Sequence, residues 1–112
     1  MIVSLAEKKC TPCQGGVPPL EAETAAELLK ELDAWSFNDQ GHLEKTYVFD
    51  DFKAPFEFAQ RIGLMAEEQW HHPDMHLAWG RLTIEVWTHK INGLVESDFI
   101  FAARADALLT AV

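Results

Sequence analysis

The chain has 112 residues, of which 48% are apolar and 24% are charged, so it is long enough for one domain with its own core and is not of the disordered class. Eighteen acidic residues against nine basic ones give a net charge of −9, which disfavours binding to nucleic acid and to anionic membranes. No stretch reaches the roughly 20 apolar residues of a spanning helix, and the first residues lack the pattern of a secretory signal. We therefore expect a soluble, cytoplasmic protein.

Residues 1–19 are predicted to be a leader that precedes a single domain at 20–112. Paired glycines and paired prolines in the leader discourage regular structure. Cys10 and Cys13 have the spacing of a redox or zinc pair, but they precede any predicted strand and lack two further ligands at zinc spacing. We interpret this pair as incidental or weakly structural.

Apolar residues at helical spacing predict three helices. The first covers 20–32, and the second and longest covers 52–70. Pro73 must end the second helix, because the residue before a proline is pushed out of the helical conformation. The third helix is predicted to begin at Ser97 as its N-cap, with Asp98 in the first turn.

Alternating apolar and polar residues predict two hairpins between these helices. The first joins residues 35–37 to 42–50, and the second covers 75–91, with His89 at the end of its last strand on the face that also carries Trp87. The order helix, hairpin, helix, hairpin, helix predicts an α+β two-layer fold. It has a four-stranded antiparallel sheet with helices packed on one face.

Three histidines and one glutamate form the candidate site. Glu67 and His71 are four residues apart at the predicted helix end and should share a helix face, and Pro73 ends the helix directly after His71 and His72. Histidine has an ordinary pKa of about 6.5, so it can give and take protons at neutral pH. Adjacent imidazoles resist being charged together, and a carboxylate can orient one ring. Together with His89, this set suits an elimination in which a leaving hydroxyl gains a proton while another atom loses one.

Two other interpretations of the histidines are a metal site and a solvated surface. His72 and His76 have the spacing of a metal pair on a helix, but Pro73 lies between them and a third ligand is missing, so we expect no metal. His42 and His76 are most simply exposed strand residues.

The four tryptophans have two interpretations. Flat rings beside polar groups suit an aromatic heterocycle, and core packing is the alternative. Core packing is favoured for Trp70 and Trp79, whereas the sequence favours neither interpretation for Trp35 and Trp87.

One extended motif resembles the signature of the pterin-4a-carbinolamine dehydratase family. It reads Glu67-x3-His71-His72-Pro73-x5-Trp79-x9-His89-x8-Asp98, with Thr88, Gly93 and Leu94 completing the second block. The resemblance covers residues 20–112. It implies the fold predicted above, no metal and no cofactor. The implied reaction is loss of water from a 4a-hydroxytetrahydropterin to give quinonoid dihydropterin, which recycles the pterin used by aromatic amino-acid hydroxylases.

The same resemblance implies a role for each motif residue. His71 and His89 are the acid–base groups that act on the leaving hydroxyl, one for each face of the ring, and His72 mainly holds the pterin. The residues implied to shape the pocket are Glu67, Trp35, Pro73, Thr88 and Asp98. Asp98 has an equally good structural interpretation as an acid that stabilises a helix N-terminus. Family members form homodimers or homotetramers, and we expect the same of this chain.

Three other functions compete with the dehydratase. The first is a non-catalytic binding or dimerisation module of the same fold, which is disfavoured because all three histidines are present. The second is pterin handling in molybdenum-cofactor metabolism, which the sequence does not separate from the dehydratase. The third and least favoured is a zinc-binding regulator.

Overall fold

The computed structural model describes residues 18–110, in which helices alternate with pairs of strands along the chain. The elements are α1 (Ala22–Leu29), β1 (Ser36–Phe37), β2 (Leu43–Val48), α2 (Lys53–Gln69), β3 (Asp74–Ala78), β4 (Arg81–Val86), a 3₁₀ helix (His89–Ile91) and α3 (Glu96–Thr110). The predicted α+β class is confirmed. Most of the predicted leader, including Cys10 and Cys13, lies outside the described residues.

The four strands form one antiparallel sheet in the order β1-β2-β4-β3. The two central strands pair with Leu43 opposite Val86 and Tyr47 opposite Leu82, and all four of these side chains are buried. Because side chains alternate along a strand, the neighbouring residues lie on the other face of the sheet. The outer face is mostly polar and the inner face mostly apolar, as the alternation in the sequence predicted.

Helices α2 and α3 supply the other half of the core. Ile62 of α2 is fully buried, and in α3 the four consecutive residues 99–102 are all at most 3% exposed. A helix buried at four consecutive positions is covered on more than one side, because four residues span more than a full turn. Helix α3 is thus the central helix of the domain. No helix within residues 18–110 is both long enough and apolar enough to cross a membrane.

The connection between β4 and α3 is a closed loop. Thr88 donates its N–H to the carbonyl oxygen of Gly93 at 2.9 Å, and this pairing encloses the 3₁₀ helix that begins with His89. A Cβ on Gly93 would lie 3.0 Å from Cβ of Pro19, so any larger residue at this position would require Pro19 or the loop to shift. The prediction that His89 ends a strand is wrong. Strand β4 stops at Val86, and the chain turns before His89.

The start of α3 also differs from the prediction. The helix begins at Glu96, so Ser97 lies in its first turn and is not the N-cap. Instead, the Asp98 carboxylate accepts the backbone N–H of Val95 through Oδ2 at 2.9 Å. An acid at the third helical position that reaches back to the residue before the helix is one half of a capping box. The helix start and the side chain of Asp98 are therefore coupled.

Candidate active site

A cleft lies where the C-terminal end of α2 faces the loop between β4 and α3. Its volume is about 210 Å³, and it is lined by Trp70, His71, His72, Trp87, Thr88, His89 and Lys90. The cleft therefore brings together the three histidines that the sequence singled out, although His89 lies 17 positions after His72 in the chain. Two tryptophans at its wall add apolar surface to a set of polar side chains, which is the usual composition of a small-molecule site.

Trp70 produces the turn that points the histidine pair into this cleft. It has a left-handed backbone, with φ 52° and ψ 44°, and ends α2. The next N–H, that of His71, donates to the carbonyl oxygen of Ala66 at 3.1 Å, and Trp70 donates to Glu67 at 3.4 Å. This is the Schellman arrangement, which usually has glycine at the left-handed position. A bulky residue there is uncommon and costs conformational energy, which is typical of functional sites.

The side chain of His71 is fixed by a buried carboxylate. His71 donates its Nε2–H to Oδ1 of Asp98 at 2.7 Å, and Asp98 has no exposed surface. The second oxygen of Asp98 accepts the Thr88 hydroxyl at 2.8 Å and the Val95 N–H. Because a carboxylate only accepts, the proton of a neutral His71 must be on Nε2, which leaves Nδ1 unprotonated. A carboxylate in this position also stabilises the imidazolium when His71 gains a proton.

His72 is oriented differently, by an exposed carboxylate. It donates Nε2–H to Oε2 of Glu67 at 2.5 Å, and the side chains of the two residues are 48% and 68% exposed. The ring of Trp70 contacts that of His72 edge-on at a centroid distance of 5.5 Å. The sequence placed Glu67 and His71 on one helix face, but His71 lies beyond the helix end, and Glu67 binds His72 instead.

His89 lies against Trp87, and Trp87 lies against a third ring, that of His42. The centroids of His89 and Trp87 are 4.2 Å apart with planes 19° apart, and those of His42 and Trp87 are 4.2 Å apart with planes 3° apart. Two imidazoles at this distance on the same face would overlap, so they must cover opposite faces of the indole. Trp87 therefore lines the cleft with the edge of its ring, since both of its faces are already occupied.

The prediction that His42 is exposed is wrong. His42 is 5% exposed, and it donates Nδ1–H to Oε2 of Glu85 at 2.7 Å. Asn38 donates to the same oxygen at 2.8 Å. Burial alone would raise the pKa of the Glu85 carboxyl, but the hydrogen bonds from His42 and Asn38 and the charges of His42 and His76 lower it below its usual range. His76 itself is exposed on β3, as predicted.

Because folding lowers the pKa of Glu85, the free energy of unfolding depends on pH in the acid range. Its contribution is fully present above the unfolded-state pKa of about 4.3 and is lost as the pH falls through the lower folded-state pKa. We expect Glu85→Gln to flatten the fall in the urea unfolding midpoint between about pH 5 and pH 3. Glu23→Gln, on the exposed face of α1, is the matched control and should keep the wild-type slope. If Glu85→Gln kept the wild-type slope, Glu85 would not contribute to the pH dependence of stability.

The structure does not bring Trp35 to the cleft. Trp35 is 5% exposed and belongs to the core, where its indole N–H donates to Asp106 at 3.1 Å. Tyr47 and Lys45 donate to the other oxygen of Asp106 at 2.5 and 2.9 Å. Burial and the Asp106 carboxylate raise the pKa of Tyr47 well above its usual range. Trp35 is therefore part of a polar cluster that ties β2 to α3.

The core-packing interpretation is wrong for the other two tryptophans. Trp70 is 69% exposed and Trp79 is 70% exposed, and only Trp70 lines the cleft. Pro73 separates the histidine pair from β3 and does not line the cleft. Lys90 lines it although sequence reasoning missed it, and its position next to His89 was the signal available. Among the described residues, no group of three His, Cys, Asp or Glu side chains could hold a metal ion.

Comparison with known proteins gives a consistent assignment. A family model described as "Pterin 4 alpha carbinolamine dehydratase" matches residues 18–108. A protein of Rickettsia bellii is 55% identical over 106 residues, which is 94% of either chain, and one of Rubrobacter xylanophilus is 51% identical over 104 residues, covering 93% of this chain and 97% of its own. Both are named "Putative pterin-4-alpha-carbinolamine dehydratase". A solved structure from Brucella melitensis, described as a "transcriptional coactivator/pterin dehydratase", superimposes with a TM-score of 0.77 at 30% identity over 81% of this chain and 98% of that one.

Proposed function

The chain belongs to the pterin-4a-carbinolamine dehydratase family, whose members are hydro-lyases, and from this premise we propose that it removes water from a 4a-hydroxytetrahydropterin by histidine acid–base catalysis. The C4a–O bond breaks and the hydroxyl leaves as water after gaining a proton. The N5–H bond also breaks, and its electron pair becomes the C4a=N5 double bond of quinonoid dihydropterin. One proton is taken up and one is released, so a pair of histidines can complete the cycle without a further reactant.

The observation that carries this proposal is the Asp98–His71 pair at the wall of a cleft that also holds His89. His71 lines the cleft, its bond to Asp98 leaves Nδ1 of the neutral ring unprotonated, and the buried carboxylate stabilises the charged form, which is what a proton acceptor requires. His89 lines the same cleft from a different element. We assign the acid–base roles at the leaving hydroxyl to His71 and His89, one for each face of the pterin.

Other residues around the cleft have the chemistry to hold the substrate. His72, oriented by Glu67, can hydrogen-bond the polar edge of a pterin with its second ring nitrogen. Thr88 lines the cleft, and its hydroxyl donates to Asp98. Trp70 is the exposed aromatic ring at the cleft, and since both faces of Trp87 are covered, we assign the stacking of the pterin to Trp70.

The direct test is turnover of a 4a-hydroxytetrahydropterin, generated in situ and followed by the absorbance of the dihydropterin product. We expect the purified chain to accelerate dehydration and His89→Ala to lose on the order of a hundredfold in rate, which is the usual contribution of one acid–base group. A folded wild type without turnover would contradict the proposal and would favour the non-catalytic binding module. If the carbinolamine reacts slowly and pterins of molybdenum-cofactor metabolism are transformed, the result would favour a role in that metabolism instead.

Removing the ring of Trp70 should weaken substrate binding without harming the fold. We expect Trp70→Gly to raise KM by roughly tenfold, because stacking on an aromatic side chain contributes about 1–3 kcal/mol. Glycine suits the left-handed backbone at this position, so the thermal midpoint should stay equal or rise. Trp79→Ala removes an equally exposed indole outside the cleft and should leave KM unchanged. If both variants had the same KM, Trp70 would not contribute to substrate binding.

The physiological setting is a further part of the proposal. The product is the oxidised pterin that aromatic amino-acid hydroxylases need in reduced form, so we propose a role in recycling their cofactor. We also propose a homodimer or a homotetramer, in keeping with the family. Light scattering coupled to size exclusion would measure the mass directly, and a monomer at micromolar concentration would contradict the oligomer.

A further inference from the structure

His42 is a buried histidine that the proposed mechanism does not use. It lies just before β2 on the outer side of the sheet, is 5% exposed, and does not line the cleft. Strands β2 and β4 pair with Leu43 opposite Val86, so the next position outward sets His42 beside Trp87. Because His42 is buried and does not line the cleft, we expect any effect of His42 on the reaction to pass through another residue.

Two polar contacts hold the His42 ring in place. Nδ1–H donates to Oε2 of Glu85 on β4, and Nε2 lies 3.1 Å from Oδ1 of Asn92. The second contact is a hydrogen bond when Nε2 also carries a proton or when the Asn92 amide turns its NH₂ group towards Nε2. Asn92 ends the 3₁₀ helix that begins with His89, and it has a left-handed backbone with φ 47°. His42 thus connects β4 to the residue that closes the turn carrying His89.

The ring of His42 also reaches His89 by a second route. His42 covers one face of Trp87 at a nearly parallel angle, and His89 covers the opposite face. His89 is exposed and its ring is stacked on the indole, so the indole limits the orientation of that ring. The orientation of that indole depends in turn on the fixed ring beneath it. The route through Asn92 and the route through Trp87 therefore start at His42 and end at His89.

We propose that His42, fixed by Glu85, is a positioning residue that sets the orientation of the His89 imidazole through Trp87 and Asn92. The proposal rests on the proposed function for its kinetic meaning, since His89 exchanges protons with the substrate there. His42 has no contact with the substrate. It keeps the proton-transferring nitrogen of His89 within reach of the leaving hydroxyl, and small errors of such placement are costly in rate.

The kinetic test compares His42→Gln with His76→Gln. Glutamine at position 42 can still donate to Glu85 but cannot stack as a flat ring. We expect kcat to fall about 10- to 100-fold with KM within about threefold of wild type, because the loss concerns the transition state and not binding. His76 is an exposed histidine on β3, and its glutamine variant should keep both constants.

A double-mutant cycle separates positioning from a general loss of fold. In a His89→Ala background, His42→Gln should produce little further loss of kcat, because the group that it positions is gone. If the two losses instead multiply, His42 acts independently of His89 and the proposal is overturned. Thermal midpoints of all variants, measured in parallel, show whether each remains folded under assay conditions.

A spectroscopic measurement tests the same inference without turnover. In protein labelled with ¹³C-histidine, the ring protons of His89 should be shifted upfield by the ring current of Trp87, and Trp87→Leu identifies this shift. We expect His42→Gln to move the His89 resonances towards exposed-histidine values, and His76→Gln to leave them in place. Unchanged His89 resonances in a folded His42→Gln protein would overturn the proposal. If those resonances move while the wild type has no dehydratase activity, the positioning stands and only the proposed function fails.

Discussion

Replacing His71 with glutamine is expected to reduce kcat by about a hundredfold or more while the protein remains folded. The glutamine amide can still donate a hydrogen bond to Asp98, so the buried carboxylate keeps one of its partners. An amide cannot take up or release a proton near neutral pH, so the acid–base step at this position is lost. Steady-state rates with a 4a-hydroxytetrahydropterin, corrected for the uncatalysed reaction, measure the effect.

His76→Gln is the matched control for this variant, because it makes the same chemical change at an exposed position on β3. It should retain wild-type kcat. If folded His71→Gln also retained wild-type kcat, the Asp98–His71 pair would be structural only. The acid–base roles would then fall to His72 and His89.

The elements of the fold were predictable because each one has a local signal. The alternation in β2 and β4 and the helical spacing in α2 were correct, since burial of one face follows directly from those periods. The differences lie at element ends. Helix α2 ends at Gln69, within one residue of the predicted end, but it is Trp70 that ends it, by taking a left-handed conformation, and not Pro73. No local sequence pattern predicts that conformation for a tryptophan.

The candidate site was predictable only where its residues are close in sequence or lie in one motif. His71, His72 and His89 were singled out by type and spacing, and the structure brings them to one cleft. His42 was misjudged because its burial depends on the pairing of β2 with β4. Hairpin signals fix the pairing of neighbouring strands, whereas this pairing joins strands from different hairpins, about 40 residues apart, for which no local signal exists.

The tryptophans show a different limit. Their size suggests burial, but exposure depends on whether the position faces the core, and Trp70 and Trp79 both lie at turns that project outward. Trp35 is buried instead, because its indole N–H finds an acceptor inside the domain at Asp106. Composition alone therefore does not separate a core ring from a ligand-binding ring.

Asp98 links the stability of the domain to its chemistry, so its removal is expected to have the largest effect on folding. Asp98→Ala leaves the His71 ring, the Thr88 hydroxyl and the Val95 N–H without their acceptor in a fully buried place. A buried donor left without its acceptor typically costs about 1–3 kcal/mol, and three donors are affected, so we expect the thermal midpoint to fall by at least roughly 10 °C. Calorimetry of the wild type and the variant measures this midpoint directly. Asp74 is exposed on β3, so the thermal midpoint of Asp74→Ala should fall by far less.

Asp98→Asn separates the two roles of this carboxylate. An amide offers one accepting oxygen and one donating nitrogen, so it can accept the Thr88 hydroxyl and the Val95 N–H while its NH₂ group faces Nε2 of His71. His71 then has to carry its proton on Nδ1, the nitrogen that the mechanism needs unprotonated. We expect a smaller loss of stability than in Asp98→Ala but a fall in kcat of about a hundredfold or more, as for other carboxylate–histidine pairs with the wrong tautomer. The conclusion would be reversed by a stable Asp98→Asn protein with wild-type kcat, because Asp98 would then serve only to hold the start of α3.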